Sequence, residues 1–514
     1  MKTRKIIFTI TVLLIGVMSC KEEQLDLSDP NVINPSNFFN NADELQSTVN
    51  AAYNFMQSQG MYGRIGFFLY DNASQENLGT DALQGGLKEF MEHTYGPATG
   101  EIFTFWQAAY RGIASCNFVI QSVEEGLVDS SVPQAEINQQ LGEVYFLRAL
   151  YYFNLTNLWG GVPLITAPAI NTEGTPRASQ QEVYAQILSD LEFAKNNLPE
   201  KGNTENGRAT RGAAMALKGK AHLFLEQWAE AKAEFSAITG YTIVGVDPRD
   251  NGNVEGEFNE ESIFEIVYNQ AIGGDQWDAG GSGVRETTFR GIEYAPTNFA
   301  NIVVRPSFFD EFEDDDPRIK AYFYQTGDQY GGKLFKPEDD LPNPGVSRFG
   351  EEDEDGNVPL EFVLGTPVWR KYQNLDNQLQ DDFTYSGINF RVIRYADVLL
   401  MWAEAENELG NTGQAVQLLN RVRDRVGMPN YGTAEMDSRG YPVNNQQQVF
   451  EAIVHERAVE LAGEQTRFLD LKRWGLAAQE LDGFTAGKND FLPIPQGEID
   501  GNPQLTEEDQ NPGY

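Results

Sequence analysis

Histidine is nearly missing from this 514-residue chain, which has three, and cysteine is scarcer, with two. His93, His222 and His455 lie far apart, and none stands in a metal-ligand spacing such as His-Glu-x-x-His, so a zinc hydrolase has no candidate ligands. Cys116, in Gly112-Ile113-Ala114-Ser115-Cys116, reads as a small buried apolar residue. Basic residues are also in short supply: 38 Lys and Arg face 76 Asp and Glu, a formal charge of −38. A field of that sign repels nucleic acid and anionic lipid surfaces, which removes both as partners. No apolar run reaches the roughly 20 residues of a membrane-spanning helix.

Catalytic signatures are missing as well. Gly280-Gly281-Ser282-Gly283-Val284 lacks the last glycine of a nucleophile elbow. Gly483 to Gly487-Lys488 is one residue short of a phosphate loop and runs into Asn489. Asp314-Asp315-Asp316 and Asp353-Glu354-Asp355-Gly356 lack the alternating ligands of a calcium loop, so calcium is a weak option and no other cofactor is indicated. Carboxylates for glycoside hydrolysis are plentiful, but nothing singles out a pair. No motif in the chain marks an enzyme.

The amino terminus carries a positive feature. Lys2, Arg4 and Lys5 precede an apolar stretch from Ile6 to Met18, then Ser19-Cys20, the layout of an export signal. A thiol just after the small residue resembles a bacterial lipobox, which predicts a signal peptide over 1–19 and acylation of Cys20. With Cys20 acylated, no intramolecular disulfide can form. Lys21-Glu22-Glu23 resembles the tag that sends some lipoproteins to the outer face of the outer membrane. Residues 20–40, rich in Asn and Pro, then form a tether, and the chain is anchored by acyl groups without spanning the bilayer.

Helical periodicity recurs through much of the remaining chain, from a first helix near Asp43–Gln57. Leu147, Leu150, Tyr151 and Leu158 share one face of Glu143–Leu158. Tyr184, Ile187, Leu188 and Leu191 do the same in Gln181–Leu198, which Pro199 stops. In Gly219–Ile238, the residues Gly219, His222, Trp228, Ala231, Phe235 and Ile238 reproduce the small and large positions of a tetratricopeptide unit. A second unit runs from Tyr395 to Val426, with Ala403 and Ala415 at close approaches and Leu419 and Val422 as fillers. A third is split between Glu143–Leu158 and Gln181–Leu198, and a fourth helical pair falls at Gln446–Leu461 and Thr466–Leu476. The helices are interrupted by a segment of about 240–389, rich in Gly, Asp, Asn, Pro and aromatics, with short strand-like runs such as Ser262–Tyr268. Long irregular segments inside compact domains are usually functional. The expected fold is mainly α: a single domain over 41–514, with helical pairs as the scaffold and one large loop-rich insertion.

A series of segments arrives in the order of a known family. It opens with Arg148-Ala149-Leu150-Tyr151-Tyr152-Phe153 leading into Trp159-Gly160-Gly161-Val162-Pro163-Leu164, then Ala209-Thr210-Arg211-Gly212-Ala213-Ala214. Next come Arg394-Tyr395-Ala396-Asp397-Val398-Leu399-Leu400, Glu404-Ala405, Glu456-Arg457 with Glu460-Leu461, Arg467, Asp470-Leu471 and Arg473-Trp474-Gly475. Pro493-Ile494-Pro495 and Gln510-Asn511-Pro512-Gly513-Tyr514 close it. The chain thereby resembles the SusD-like (RagB-like) outer-membrane nutrient-binding lipoproteins of Bacteroidetes. That resemblance implies capture of an oligosaccharide at the cell surface and delivery to a TonB-dependent, SusC-like barrel. The alternatives are a peptide-importing relative or a protein-interaction scaffold. Glu456, Arg457, Glu460, Arg467, Asp470 and Arg473 are expected to be structural, locking the last helices by charge pairing.

A sugar receptor needs exposed aromatic platforms flanked by amide, carboxylate or guanidinium hydrogen-bonders. Of seven tryptophans, Trp106, Trp159, Trp228, Trp402 and Trp474 occupy packing positions. Trp277 lies in the Gly-rich stretch 273–281, where nothing is offered to bury it, and is the expected main platform. Trp369, beside Arg370-Lys371-Tyr372, is the second candidate, with Tyr294 as a further aromatic of the insertion. The segment Met61–Asn77, with Tyr62, Arg64, Tyr70, Asp71 and Asn72, supplies the other expected wall.

Overall fold

A computed structural model of the chain describes residues 39–80, 83–168, 173–271, 286–294, 301–325, 328–330, 333–334, 367–373 and 386–514. Cys20, Lys21-Glu22-Glu23, the acidic run at 353–356 and Trp277 lie outside them.

The periodic segments are helices, and their ends are set by local chemistry. Helix α1 (Ala42–Asn54) starts where Asn41 accepts a hydrogen bond from the Glu44 amide at 3.0 Å. Helices α2 (Gly85–Glu92), α3 (Gly100–Glu124) and α4 (Gln134–Trp159) come next. Gly160, at φ +74°, ends α4 in a conformation that suits glycine. A reciprocal Ser179–Glu182 capping box opens α5 (Gln180–Asn197), and Thr210 caps α6 (Arg211–Phe224). Then come α7 (Trp228–Ser236), α8 (Tyr395–Glu408), α9 (Thr412–Val426), α10 (Gln446–Glu460) and α11 (Arg467–Arg473).

Neighbouring helices pack as pairs: α4 with α5, α6 with α7, and α8 with α9. The small positions do what the periodicity predicts. A Cβ on Gly219 would stand 2.5 Å from the Phe235 ring, so α7 reaches α6 only because that position is bare. Ala403, Ala415, Leu419 and Val422 are all buried in the α8–α9 pair. Trp106 and Trp159 are fully interior, while Trp228, Trp402 and Trp474 are partly buried against the same core. Cys116 is a buried free thiol on α3.

Among the described residues the strands form four two-stranded antiparallel ribbons and no larger sheet. Strand β1 (Asn77–Gly79) pairs with β3 (Ile302–Val304), and β4 (Phe323–Tyr324) with β7 (Val368–Trp369). A small hairpin joins β5 (Gln329–Tyr330) to β6 (Lys333–Leu334). Strand β2 (Ser262–Ile266), shorter than its apolar run, pairs with β8 (Phe390–Arg394), which feeds directly into α8. The insertion is therefore hung from the helical scaffold at its base.

Buried charge ties the last helices to that base. Glu460 accepts from Arg394 at 2.5 Å, Arg425 at 2.6 Å and Arg318 at 3.0 Å, and all four side chains are buried. Glu456 takes Arg318 and Arg423, while Glu261 takes Arg394 and Arg425. A second cluster joins Arg457 to Asp397 and Asp470, and Arg473 to Glu404 and Asp470. The expected locking network is present, with Arg457–Asp470 and Arg473–Asp470 as the pairs within the group named from sequence. Most other partners come from distant segments.

The closing segment packs on the end of α4. The Trp159 indole donates to the Pro493 carbonyl at 2.8 Å. Asn511 donates to the carbonyls of Trp159 and Leu492, and Arg177 bonds Trp159, Asp509 and Asn511.

Candidate functional site

The polar side chains left over from packing converge beside α1. That helix buries Leu45, Val49 and Ala52, which places Asn50, Tyr53 and Asn54 on the far side. Opposite stands the turn 205–208, drawn tight against the end of β2. Gly207 has φ +87°, and a Cβ there would meet Val267 at 2.6 Å, so only glycine allows the approach. The floor is made by Gln57, Glu265 and Val267, with Glu286 at the edge, around a cleft of about 290 Å³.

Arg208 organises the cleft. Its guanidinium meets Glu143 at 3.2 Å, Glu205 at 3.9 Å and the Asn50 side-chain oxygen at 2.6 Å, and it lies 5.3 Å from the centre of the Tyr53 ring. The Tyr53 hydroxyl donates to Glu143 at 2.7 Å and accepts from the Ala209 amide. Burial, reinforced by Glu143, pushes the Tyr53 pKa well up, so the phenol keeps its proton. Burial also raises the pKa of Glu143, against the pull of Arg208. Gln57 donates to the Val267 carbonyl at 2.6 Å and to Glu286 at 3.0 Å. The side-chain amides of Asn54 and Asn206 are exposed and make no hydrogen bond among the described residues. An aromatic ring, free amides and a fixed guanidinium around one hollow are equipment for a polyhydroxylated ligand. Val267 and Glu286 also bracket, along the chain, the segment that carries Trp277.

The residues named from sequence in the early segment occupy a different place. Every residue from Met56 to Asn77 is buried, with short helical turns at Gln59–Gly63, Ile65–Phe67 and Phe68–Asn72. Tyr62 stacks on Phe390 with ring centres 5.4 Å apart, and its hydroxyl accepts from Asn154. Tyr70 donates to the same Asn154. Arg64 bonds Glu293 at 2.6 Å, Asp71 takes Arg290 at 2.6 Å, and Asn77 links Asn72, Tyr294 and Trp369. Trp369 is 1% exposed and packs against Phe308 and Phe323.

The expected open wall is thus corrected: Tyr62, Arg64, Tyr70, Asp71, Asn72, Tyr294 and Trp369 do come together, but as a polar and aromatic interior. The physical reason is mutual satisfaction, since these charges and amides find their partners in the interior itself. Burial raises the Asp71 pKa despite Arg290. Burial and then the neighbouring Asp71 raise that of Glu76, whose Oε2 has no partner among the described residues.

A larger hollow, of about 560 Å³, lies over Phe309, Phe312 and Ile319 beside Asp314, Asp315 and Asp316. Two of its acids are engaged: Asp315 bonds Arg439 at 2.6 Å and Asp316 bonds Arg318 at 2.7 Å. Among the described residues no group of His, Cys, Asp or Glu is arranged to hold a metal. The cleft's own residues escaped the sequence reading because they come from separated segments. The one local sign was Asn50, Tyr53 and Asn54, a polar and aromatic set at helical spacing.

Paired helices carrying a ribbon-based insertion and a polar cleft define a helical-repeat binding protein. The family model described as "SusD family" matches residues 260–514, and that described as "Starch-binding associating with outer membrane" matches residues 23–223. The chain is 29% identical to SusD-like protein P25 of Formosa agariphila over the full length of both. A crystal structure of a SusD superfamily protein from Bacteroides vulgatus superposes with a TM-score of 0.77 at 25% identity, covering 93% of this chain and 100% of that one. A laminarin-binding SusD-like protein matches at 28% identity and TM-score 0.73, with the same coverage. The chain belongs to the SusD-like family. Members of that family are carbohydrate-binding proteins and not enzymes.

Proposed function

We propose that this chain is an outer-membrane lipoprotein, anchored through Cys20 and facing the cell exterior, that captures a glycan and passes it to a SusC-like TonB-dependent transporter. Family membership supports the carbohydrate part, as do a laminarin-binding relative and a matching model whose description associates starch binding with the outer membrane. The observation that carries the reading is the cleft of Tyr53, Asn54, Asn206 and Arg208. There side-chain amides can meet hydroxyls, and Trp277, outside the described residues, is the indole proposed to cover the C–H face of a sugar ring. Nucleic acid has no part in the reading, because the formal charge is −38.

Affinity electrophoresis against purified polysaccharides tests it: at least one should retard the protein, and none should release reducing sugar. Retardation by none, together with a bound peptide or protein, would replace this reading with peptide import or scaffolding. Anchorage is checked separately. Cys20→Ser should move the protein from the membrane fraction to the soluble fraction with its melting temperature unchanged, and a variant that stays with the membrane would remove Cys20 from that role.

A further inference from the structure

We infer that the cleft selects an uncharged glycan and rejects sulfated or uronic ones, an inference that rests on the glycan reading of this cleft. Among the described residues lining it, Arg208 is the one cation. It is already shared between Glu143 and Glu205, with Asn50 on its remaining edge. Glu265 is matched by Arg391 at 3.4 Å and by the Phe258 amide and Asn389. Among the described residues the Glu286 carboxylate has the Gln57 amide for company and no cation, and Glu205 is 85% exposed at the rim. A further cation, Lys201, stands in an adjoining hollow behind Gly207. It is committed to the carbonyls of Asn259 and Ser262 and lies over the Tyr241 ring.

Recognition of a sulfate or carboxylate needs an unengaged guanidinium, an ammonium or converging backbone N–H groups to replace the water it gives up. Among the described residues this cleft offers carboxylates where such a group would sit, and like-charge juxtaposition rejects an anionic partner. The amides of Asn54 and Asn206, without a hydrogen bond among the described residues, suit neutral hydroxyls, for which an amide supplies both donor and acceptor.

The test uses two panels in affinity electrophoresis: neutral polysaccharides, and the same polymers after chemical sulfation or carboxymethylation. Retention by neutral members, weakened about tenfold or more in their anionic derivatives, supports the inference, as does partial recovery of the anionic probes in high salt, where repulsion is screened. The double variant Glu205→Lys with Glu286→Gln should admit the sulfated probes. Equal or tighter retention of the anionic panel overturns the inference and leaves the glycan reading in place. Retention by neither panel overturns both. Asn206→Trp, an exposed position whose new ring would fill the cleft, should abolish neutral retention; binding within about twofold of wild type would place the glycan elsewhere and end the inference.

Discussion

Replacing Glu460 with Gln measures what the buried charge network contributes. The substitution keeps the size of the side chain but withdraws its charge and turns one acceptor oxygen into a donor facing guanidinium donors. Three arginines lose strength at once, from contacts of 2.5 Å, 2.6 Å and 3.0 Å. None is stranded completely: Arg394 keeps Glu261 and Glu464, Arg425 keeps Glu261, and Arg318 keeps Asp316 and Glu456. Removing one partner of a buried pair costs about 3–5 kcal/mol, and the remaining partners argue for the lower end, ~3 kcal/mol.

Melting entropy of ~2.1 cal/mol/K per residue makes this only about 3 °C for a chain of 514 residues. Urea unfolding, read as free energy, is therefore the better assay. The pH dependence has a definite sign. Burial opposes ionisation, but Arg425, Arg394 and Arg318 outweigh it and hold the Glu460 carboxyl well below its usual range. Its contribution is complete above the ordinary carboxylate pKa and is lost as pH falls through the depressed value. The gap between wild type and variant should narrow in strong acid. Glu451→Gln, on the exposed side of the same helix, should stay within about 0.5 kcal/mol of wild type. A Glu460→Gln loss no larger than that control would refute the reasoning.

Gly219→Val should destabilise by about 2 kcal/mol: overpacking against Phe235 costs ~1–3 kcal/mol and exceeds the fraction of a kcal/mol that helix propensity returns; an unfolding midpoint at or above wild type would contradict the close approach. Burial raises the Glu76 pKa to about 8, so its contribution is present below the ordinary carboxylate range and fades as pH climbs above it, by up to ~1.4 kcal/mol per pH unit. Glu76→Gln should therefore gain on wild type as pH rises from the ordinary carboxylate range to about 8, and parallel stability curves would exclude that role. Trp277→Ala should weaken glycan retention more than tenfold, at ~2 kcal/mol, with the melting temperature unchanged. Trp228→Ala should lower the melting temperature and spare binding, and the reverse pattern would exchange their roles.

The helical pairs were legible because burial on a helix leaves a local, periodic trace, and Gly219 with Phe235 is that trace at its clearest. The segment Met56–Asn77 left none. Its glycines, aromatics and amides have a loop's composition, and what buries it lies far along the chain: Glu293 for Arg64, Arg290 for Asp71, and Trp369 for Asn77. Each charge or amide looked solvent-bound until its partner was placed beside it. Trp369 failed for the same reason, since a short aromatic stretch in a loop-rich insertion does not announce the pocket that takes its indole. Glu456, Arg457 and Glu460 were rightly read as structural, because helix spacing marks a shared face, but that spacing could not name Arg318, Arg394 or Arg425.

The carboxy-terminal clasp on α4 bears on the order in which this molecule can be made. The carbonyl of Trp159 is met by Arg177 and Asn511, and the Trp159 indole by the Pro493 carbonyl, so the end of this long helix stays incomplete until the last residues of the chain have arrived. Contacts of such separation are slow to form and leave early segments exposed in the meantime. A nascent chain would carry an open α4 end, with Trp159 lacking these partners, through the 352 residues that separate it from Asn511.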